Sequence, residues 1–223
     1  MTMKDENCAY CAEGALVDKF GIKITELPAS KVYLFKEQSH RGRVIVASTH
    51  HVSEMIDLDR RERQAFMDDV AKVASAIRKV FHPTKINYGA YGDTGCHLHF
   101  HLVPKYADDE FEWGGTFAMN PKRTYLSEAE YTDLVAKIKA ELLLGDGTFN
   151  LRGALEEMRR DIAADGKVDF GEATFLLNAM GRLAGSGATT DAFIALLRDV
   201  REDGVISPEE SAKILKVLDE LLA

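Results

Sequence analysis

The stretch Cys96-His97-Leu98-His99-Phe100-His101-Leu102-Val103-Pro104-Lys105 decides how this chain is read. Three of the seven histidines stand at i, i+2 and i+4, with Leu98, Phe100 and Leu102 between them. Successive side chains leave a strand on opposite faces, so this alternation predicts a strand over 96–105. Its imidazoles would share one face, roughly 6.5 Å apart, with the apolar set packed behind them. Pro104 offers no amide donor and marks the strand's end or edge. A half-buried structural strand accounts for one or two such histidines, but poorly for three in strict alternation. Imidazoles titrate near neutral pH and ligate metals, so a row of them points to nucleophilic chemistry or metal binding. Cys96 falls on the other face of a regular strand, which predicts a buried, small, apolar role for its thiol.

Working outward, residues 21–26, 31–35 and 43–47 also read as strands, and so does 86–91 before a tight turn at 92–95. Asp59 with Glu62 forms a capping box ahead of Phe66, Val70, Val73, Ile77 and Phe81, and Pro83 ends that helix. Ser127 with Glu130 opens a second amphipathic helix carrying Tyr131, Leu134, Val135, Ile138 and Leu142. Strands joined by short turns, with helices between, predict an α+β fold built on an antiparallel sheet with flanking helices. Gly145-Asp146-Gly147-Thr148 interrupts the pattern, and residues 149–223 read as a small all-α domain. The expected division is therefore 1–145 and 149–223.

Composition narrows the function classes. A chain of 223 residues with 46% hydrophobic and 29% charged content is ordinary for a globular protein. No apolar run approaches the ~18 residues of a membrane span, and the polar, acidic start is no secretory signal. A cytoplasmic protein is expected. The net charge of −8 argues against non-specific nucleic-acid binding. Residues 146–223 hold 15 acidic and 9 basic side chains, so the tail carries −6 of that charge.

The triad and its flanks match the His-φ-His-φ-His-φ-φ motif of the histidine triad (HIT) family, and the chain resembles that family over about residues 6–143. The resemblance implies an antiparallel sheet, a homodimer joined through it, and a small-molecule nucleotide substrate. It implies that His99 attacks the α-phosphate, and that His101 bonds the phosphate oxygens and assists the leaving group. Such a nucleophile splits one hard displacement into two easier ones. Cleavage of a phosphoanhydride or phosphoramidate bond is expected. A nucleotidyltransferase resembling galactose-phosphate uridylyl transferases, or a non-catalytic nucleotide-binding regulator, is the alternative. Those transferases replace the third histidine with glutamine, so His101 favours hydrolysis. Asn87, Asp93 and Thr94 match positions near the phosphates, although Asp93 replaces a glutamine common in the family. Glu37 is the nearest candidate for a ribose contact. Arg43 stands where many relatives carry histidine and reads as a phosphate partner or, in preference, a surface charge. His40 and His82 receive no catalytic role.

Cys8-x-x-Cys11 could by itself be a redox pair or two unrelated thiols. Zinc-bearing members of the family pair such cysteines with the first triad histidine and one after the Val-Ile-Val-like strand. The resemblance therefore implies structural zinc on Cys8, Cys11, His51 and His97, with His50 an exposed neighbour. In the tail, Asp161–Glu172 and Asp199–Glu210 follow the twelve-residue calcium-loop template at an offset of 38 residues, resembling a degenerate EF-hand pair. Ala163 and Arg201 occupy a position where calcium needs an oxygen ligand. A helical module without physiological calcium, open to a protein partner, is expected there.

Overall fold

The structure is a computed structural model, and it describes residues 5–92, 95–108, 113–144, 151–181 and 187–222. The order is α1 (Ala9–Ala12), β1 (Gly21–Leu27), β2 (Ser30–Phe35), β3 (Val44–Ser48), α2 (Arg60–Phe81), β4 (Lys85–Gly89) and β5 (His99–Lys105). The helices α3 (Glu128–Leu144), α4 (Leu151–Asp165), α5 (Phe170–Met180), α6 (Ala188–Asp203) and α7 (Pro208–Leu222) follow. Two compact units result, Met1–Ser127 and Glu128–Ala223. No helix among the described residues is long and apolar enough to cross a membrane.

The first unit is a five-stranded sheet in the order β1-β2-β3-β5-β4, antiparallel at every pairing. The α+β class expected from the strand pattern is the class observed. Register gives each face its task. Val44, Val46, Phe100 and Leu102 share one face, which α2 covers with Phe66, Val70, Val73 and Ile77. Ile45 stands opposite His101 and Ala47 opposite His99, so the other face carries the histidines. All five residues of β3 are buried, because helix packing covers one face and the site lies on the other.

Helix α2 begins where Asp59 accepts from the amides of Arg61 and Glu62 while Glu62 returns a bond to the Asp59 amide. Asp69, buried on the same helix, accepts from the Ala29 amide at 2.9 Å and the Ser30 hydroxyl at 2.8 Å. That pins the helix to the turn between β1 and β2. Gly42 has φ +87°, and a Cβ there would come 2.7 Å from the Phe81 ring. Both facts demand glycine immediately before Arg43.

The second unit holds α3 to α7, with α5 packed on α3 and α6, and α4 on α7. Ala136 and Ala140 of α3 join Leu155, Met158, Ile162, Phe175, Phe193 and Leu218 in its core. By packing, then, α3 belongs with the helices after it, although the sequence break at 145–148 set it before them. Glycine-rich punctuation marks where a helix stops. Which unit a helix joins depends on the face it buries. The calcium-template segments form two matching turns, with Gly166 at φ +73° and Gly204 at φ +69°. Each turn is followed by a capping box, Asp169 with Glu172 and Ser207 with Glu210.

Candidate functional site

Strand β5 starts at His99, three residues later than the alternation predicts. Before it the His97 amide donates to the Gly95 carbonyl at 2.7 Å, and the Leu98 amide to Val52 at 2.7 Å. Cys96 therefore lies outside the pleat and is exposed, not buried. The same turn separates the triad into two environments.

His97 faces a metal-ligating cluster. Its Nε2–H donates to the Ser48 carbonyl at 2.8 Å, which leaves Nδ1 as the lone-pair nitrogen. That Nδ1 lies 3.3 Å from Cys8 Sγ, 3.6 Å from Cys11 Sγ and 3.2 Å from His51 Nδ1. The Cys11 Sγ and His51 Nδ1 atoms are 3.2 Å apart. All four ligand atoms sit within 4.8 Å of one another, so Cys8, Cys11, His51 and His97 could hold a metal ion. His50 points elsewhere, towards Glu62 of α2 at 3.2 Å. Burial lowers the His97 pKa to about 4, which keeps the ring in its ligating neutral form.

His99 and His101 lie beyond that cluster with their ring centres 5.2 Å apart. The two rings carry their protons on opposite nitrogens. His99 donates from Nδ1 to the His97 carbonyl at 2.7 Å, so its Nε2 is bare. Arg43 Nη2 lies 3.1 Å from His101 Nδ1 and can only donate, so His101 keeps its proton on Nε2. Burial pulls both pKa values down, and Arg43 adds to the effect at His101, which falls to about 3. At neutral pH the pair is one lone-pair nitrogen beside one N–H donor.

Arg43 corrects an expectation, since it is fully buried and not a surface charge. It also donates to the Met119 carbonyl, and its guanidinium lies 4.1 Å from the Phe35 ring centre. Burial lowers its pKa to about 10, which leaves it charged at neutral pH. Gln38 fixes the loop that delivers it, accepting from the Gly42 amide at 2.8 Å and donating to the Phe35 and Arg43 carbonyls. A second residue the sequence reading missed is Tyr10, between the two cysteines. Its ring centre is 5.1 Å from those of both His97 and His99. The C-x-x-C spacing was the available signal, because whatever fixes both cysteines also fixes the residue between them.

Cys8, Tyr10, Phe35, His99, His101 and Met119 are among the residues lining a cavity of about 670 Å³, and Arg43 lies behind His101 outside that lining. The cavity's size suits a small organic ligand. Of the remaining candidates, Asn87 sits on β4 with its buried Oδ1 unpartnered. Glu37 is buried, and its Oε1 accepts from the Ser39 and Thr124 amides at 3.0 and 2.9 Å. These bonds tie Glu37 into its own loop. Asp93 and Thr94 lie outside the described residues. His40 is buried with Nε2 at 3.0 Å from the Ala118 carbonyl, a structural anchor.

Residues 23–108 match the family model described as HIT domain. Over these residues the chain is similar to a histidine triad domain. A curated relative, Protein hit of Bacillus subtilis, is 26% identical over 110 residues, covering 44% of this chain and 74% of its own. Among solved structures, a histidine triad protein from Bradyrhizobium japonicum superposes with a TM-score of 0.53 at 20% identity. It covers 58% of this chain and 96% of its own. One from Marinobacter aquaeolei gives 0.52 at 19% identity, covering 58% and 94%. These structures share the fold of the histidine triad domain.

Proposed function

We propose that the histidine triad domain binds a nucleotide and cleaves it at the α-phosphate through a nucleotidyl-His99 intermediate. The observation that carries this reading is the opposed protonation of the two rings. His99 offers a bare Nε2 as nucleophile, held in orientation by its bond to the His97 carbonyl. His101 offers an N–H to the phosphate oxygens, and the buried Arg43 supplies positive charge beside it. Donors fixed in advance, where charge develops, need no reorganisation during reaction. Asn87, with its unpartnered Oδ1, and Asp93 and Thr94, before the triad, are proposed to meet the substrate's polar groups.

The four-residue cluster is proposed as a structural zinc site. A tetrahedral zinc with Zn–N of about 2.0–2.1 Å and Zn–S of about 2.3 Å separates its donors by roughly 3.3–3.8 Å. Four of the six donor pairs, at 3.2–3.6 Å, already stand close to that spacing, and all four atoms lie within 4.8 Å, so a small inward shift would close the shell. The Ser48 carbonyl holds the His97 ring in the ligating orientation. Zinc there would anchor the N-terminal segment. Catalysis falls to His99 and His101. A homodimer through the sheet, whose outer strands are β1 and β4, completes the reading.

The test is His99→Ala, assayed on dinucleoside polyphosphates and nucleoside phosphoramidates, with acid-quenched detection of a nucleotidyl adduct. The variant should fold, bind nucleotide and lose turnover by at least about 10³-fold, while wild type yields the adduct at His99. Near-wild-type turnover in His99→Ala on every substrate would sink the covalent mechanism. Tight nucleotide binding by wild type without turnover would favour the regulator.

A further inference from the structure

Arg43 is buried completely, and the groups touching its guanidinium, among them the Met119 carbonyl, the Phe35 ring and Nδ1 of His101, are neutral, while the charge of the buried Glu37 acts on it from beyond contact distance. A buried cation without a contacting carboxylate is costly unless it serves something. The sequence before β3 could have spared that cost with any apolar residue. What the guanidinium does at this place is decide where the His101 proton resides.

We propose that Arg43 is a positioning residue that holds His101 as a neutral Nε2–H hydrogen-bond donor, and that this tunes the site to phosphoanhydrides over phosphoramidates. The inference rests on the nucleotidyl-transfer reading above and names its substrate class. The chemistry of the leaving group carries it. When a P–N bond breaks, the departing nitrogen must receive a proton, because an amide anion is too basic to leave. When a P–O–P bridge breaks, a phosphate or polyphosphate anion departs with the bonding pair on its oxygen and needs no proton.

His101 cannot supply that proton readily. Giving up its Nε2 proton while Nδ1 accepts from a guanidinium that keeps its own would create an imidazolate. Forming the imidazolium beforehand would require Nδ1 to release Arg43 and place a second cation against it in a buried site. His101 can therefore lend a hydrogen bond but not a proton. With an anhydride the steps balance. The lone pair on His99 Nε2 forms the N–P bond, and the P–O bond breaks with its pair on the leaving phosphate. His101 N–H and the Arg43 charge stabilise the developing oxyanions. Water then attacks phosphorus, the P–N pair returns to His99 Nε2, and the water's proton passes to bulk solvent.

The experiment uses the full chain with two substrates that share one nucleotidyl half, a dinucleoside polyphosphate and a nucleoside phosphoramidate. In wild type kcat/KM should favour the anhydride by about 10²–10⁴, the usual worth of general acid catalysis that the amine would need. Arg43→Met should lower kcat on the anhydride and move the ratio towards the phosphoramidate. Arg43→Lys keeps a charged donor and should hold the ratio near wild type. Nitrogen-15 shifts of labelled histidine in nucleotide-free protein read the tautomer directly. They should show His101 protonated on Nε2 in wild type and a mixed tautomer in Arg43→Met. A wild-type ratio near one, or His101 protonated on Nδ1, overturns the proposal. Should Arg43→Met fail to fold, the wild-type ratio and tautomer still decide it. Absence of any His99 adduct overturns the functional reading and the substrate preference with it, whereas the tautomer judges the Arg43–His101 pairing independently.

Discussion

His101 is buried beside Arg43 with its pKa pushed down to about 3, against an ordinary value near 6.5. Between those values the unfolded chain takes up a proton that the folded chain refuses. Stability therefore rises with pH from about 3 to about 6.5 and levels off above, by at most about 1.4 kcal/mol per pH unit for one group. Urea unfolding of His101→Gln at pH 4, 5 and 7 should show a shallower acid loss than wild type. Equal slopes in the two proteins would mean that His101 is not held neutral by the fold. His99 and His101 were legible as a pair because period-two spacing survives in the sequence. Arg43 was not legible. Its strand is buried on both faces, so Val44 to Ser48 show no alternation that would have placed the preceding side chain inside. Nor does anything in the sequence announce that residues 43 and 101 meet, since only the β3–β5 register brings them together.

The four-residue helix α1 is far too short to stand alone, as isolated helices under about 12 residues are marginal in water. Its order depends on Tyr10 packing against Phe20, Tyr33 and the triad, and on the cysteines at either side. Purified protein should carry about one zinc per chain, the number a single four-ligand shell allows. Cys8→Ser/Cys11→Ser should lose that zinc, lower the melting temperature and raise amide exchange across residues 8–16. Full zinc retention in the double variant would refute the ligand set. Helix α2 makes a separate case. Its capping box was legible as a four-residue pattern, and the box is present. Asp69 was not, because an aspartate inside a charged helix reads as solvent-facing until the β1–β2 turn is placed over it. Asp69→Ala strands the buried Ala29 amide and Ser30 hydroxyl and should cost about 1–3 kcal/mol in urea unfolding. A loss below about 0.5 kcal/mol would mean that water replaces the carboxylate there.

At the scale of the whole molecule, the second unit depends on a helix that its sequence break excludes. Ala136 and Ala140 on α3 are small enough for close approach, and they share a core with Leu155, Met158, Ile162 and Phe175. Two ion pairs tie the same helix into the unit, Asp133 with Arg201 at 2.7 Å and Lys139 with Asp161 at 3.4 Å. Arg201 and Asp161 are also calcium-template positions, here committed to α3. The template's first five positions lie within α4 in one repeat and within α6 in the other. A calcium loop needs those positions free to turn their oxygens inwards. The 38-residue repeat was legible from Gly166 and Gly204, but the helical state of the loops was not, because aspartates at those spacings suit a helix as well. A fragment of residues 128–223 should unfold cooperatively with high helicity. A fragment of residues 151–223 should bind a hydrophobic dye and unfold over a broad range, because the core loses one wall. Micromolar calcium should leave the circular dichroism of 128–223 unchanged. Equal stability of the two fragments would show that α3 is dispensable to this core. A calcium-driven gain of structure would show that the loops can leave their helices, and that the ion pairs to α3 are weaker than the ligand set they occupy.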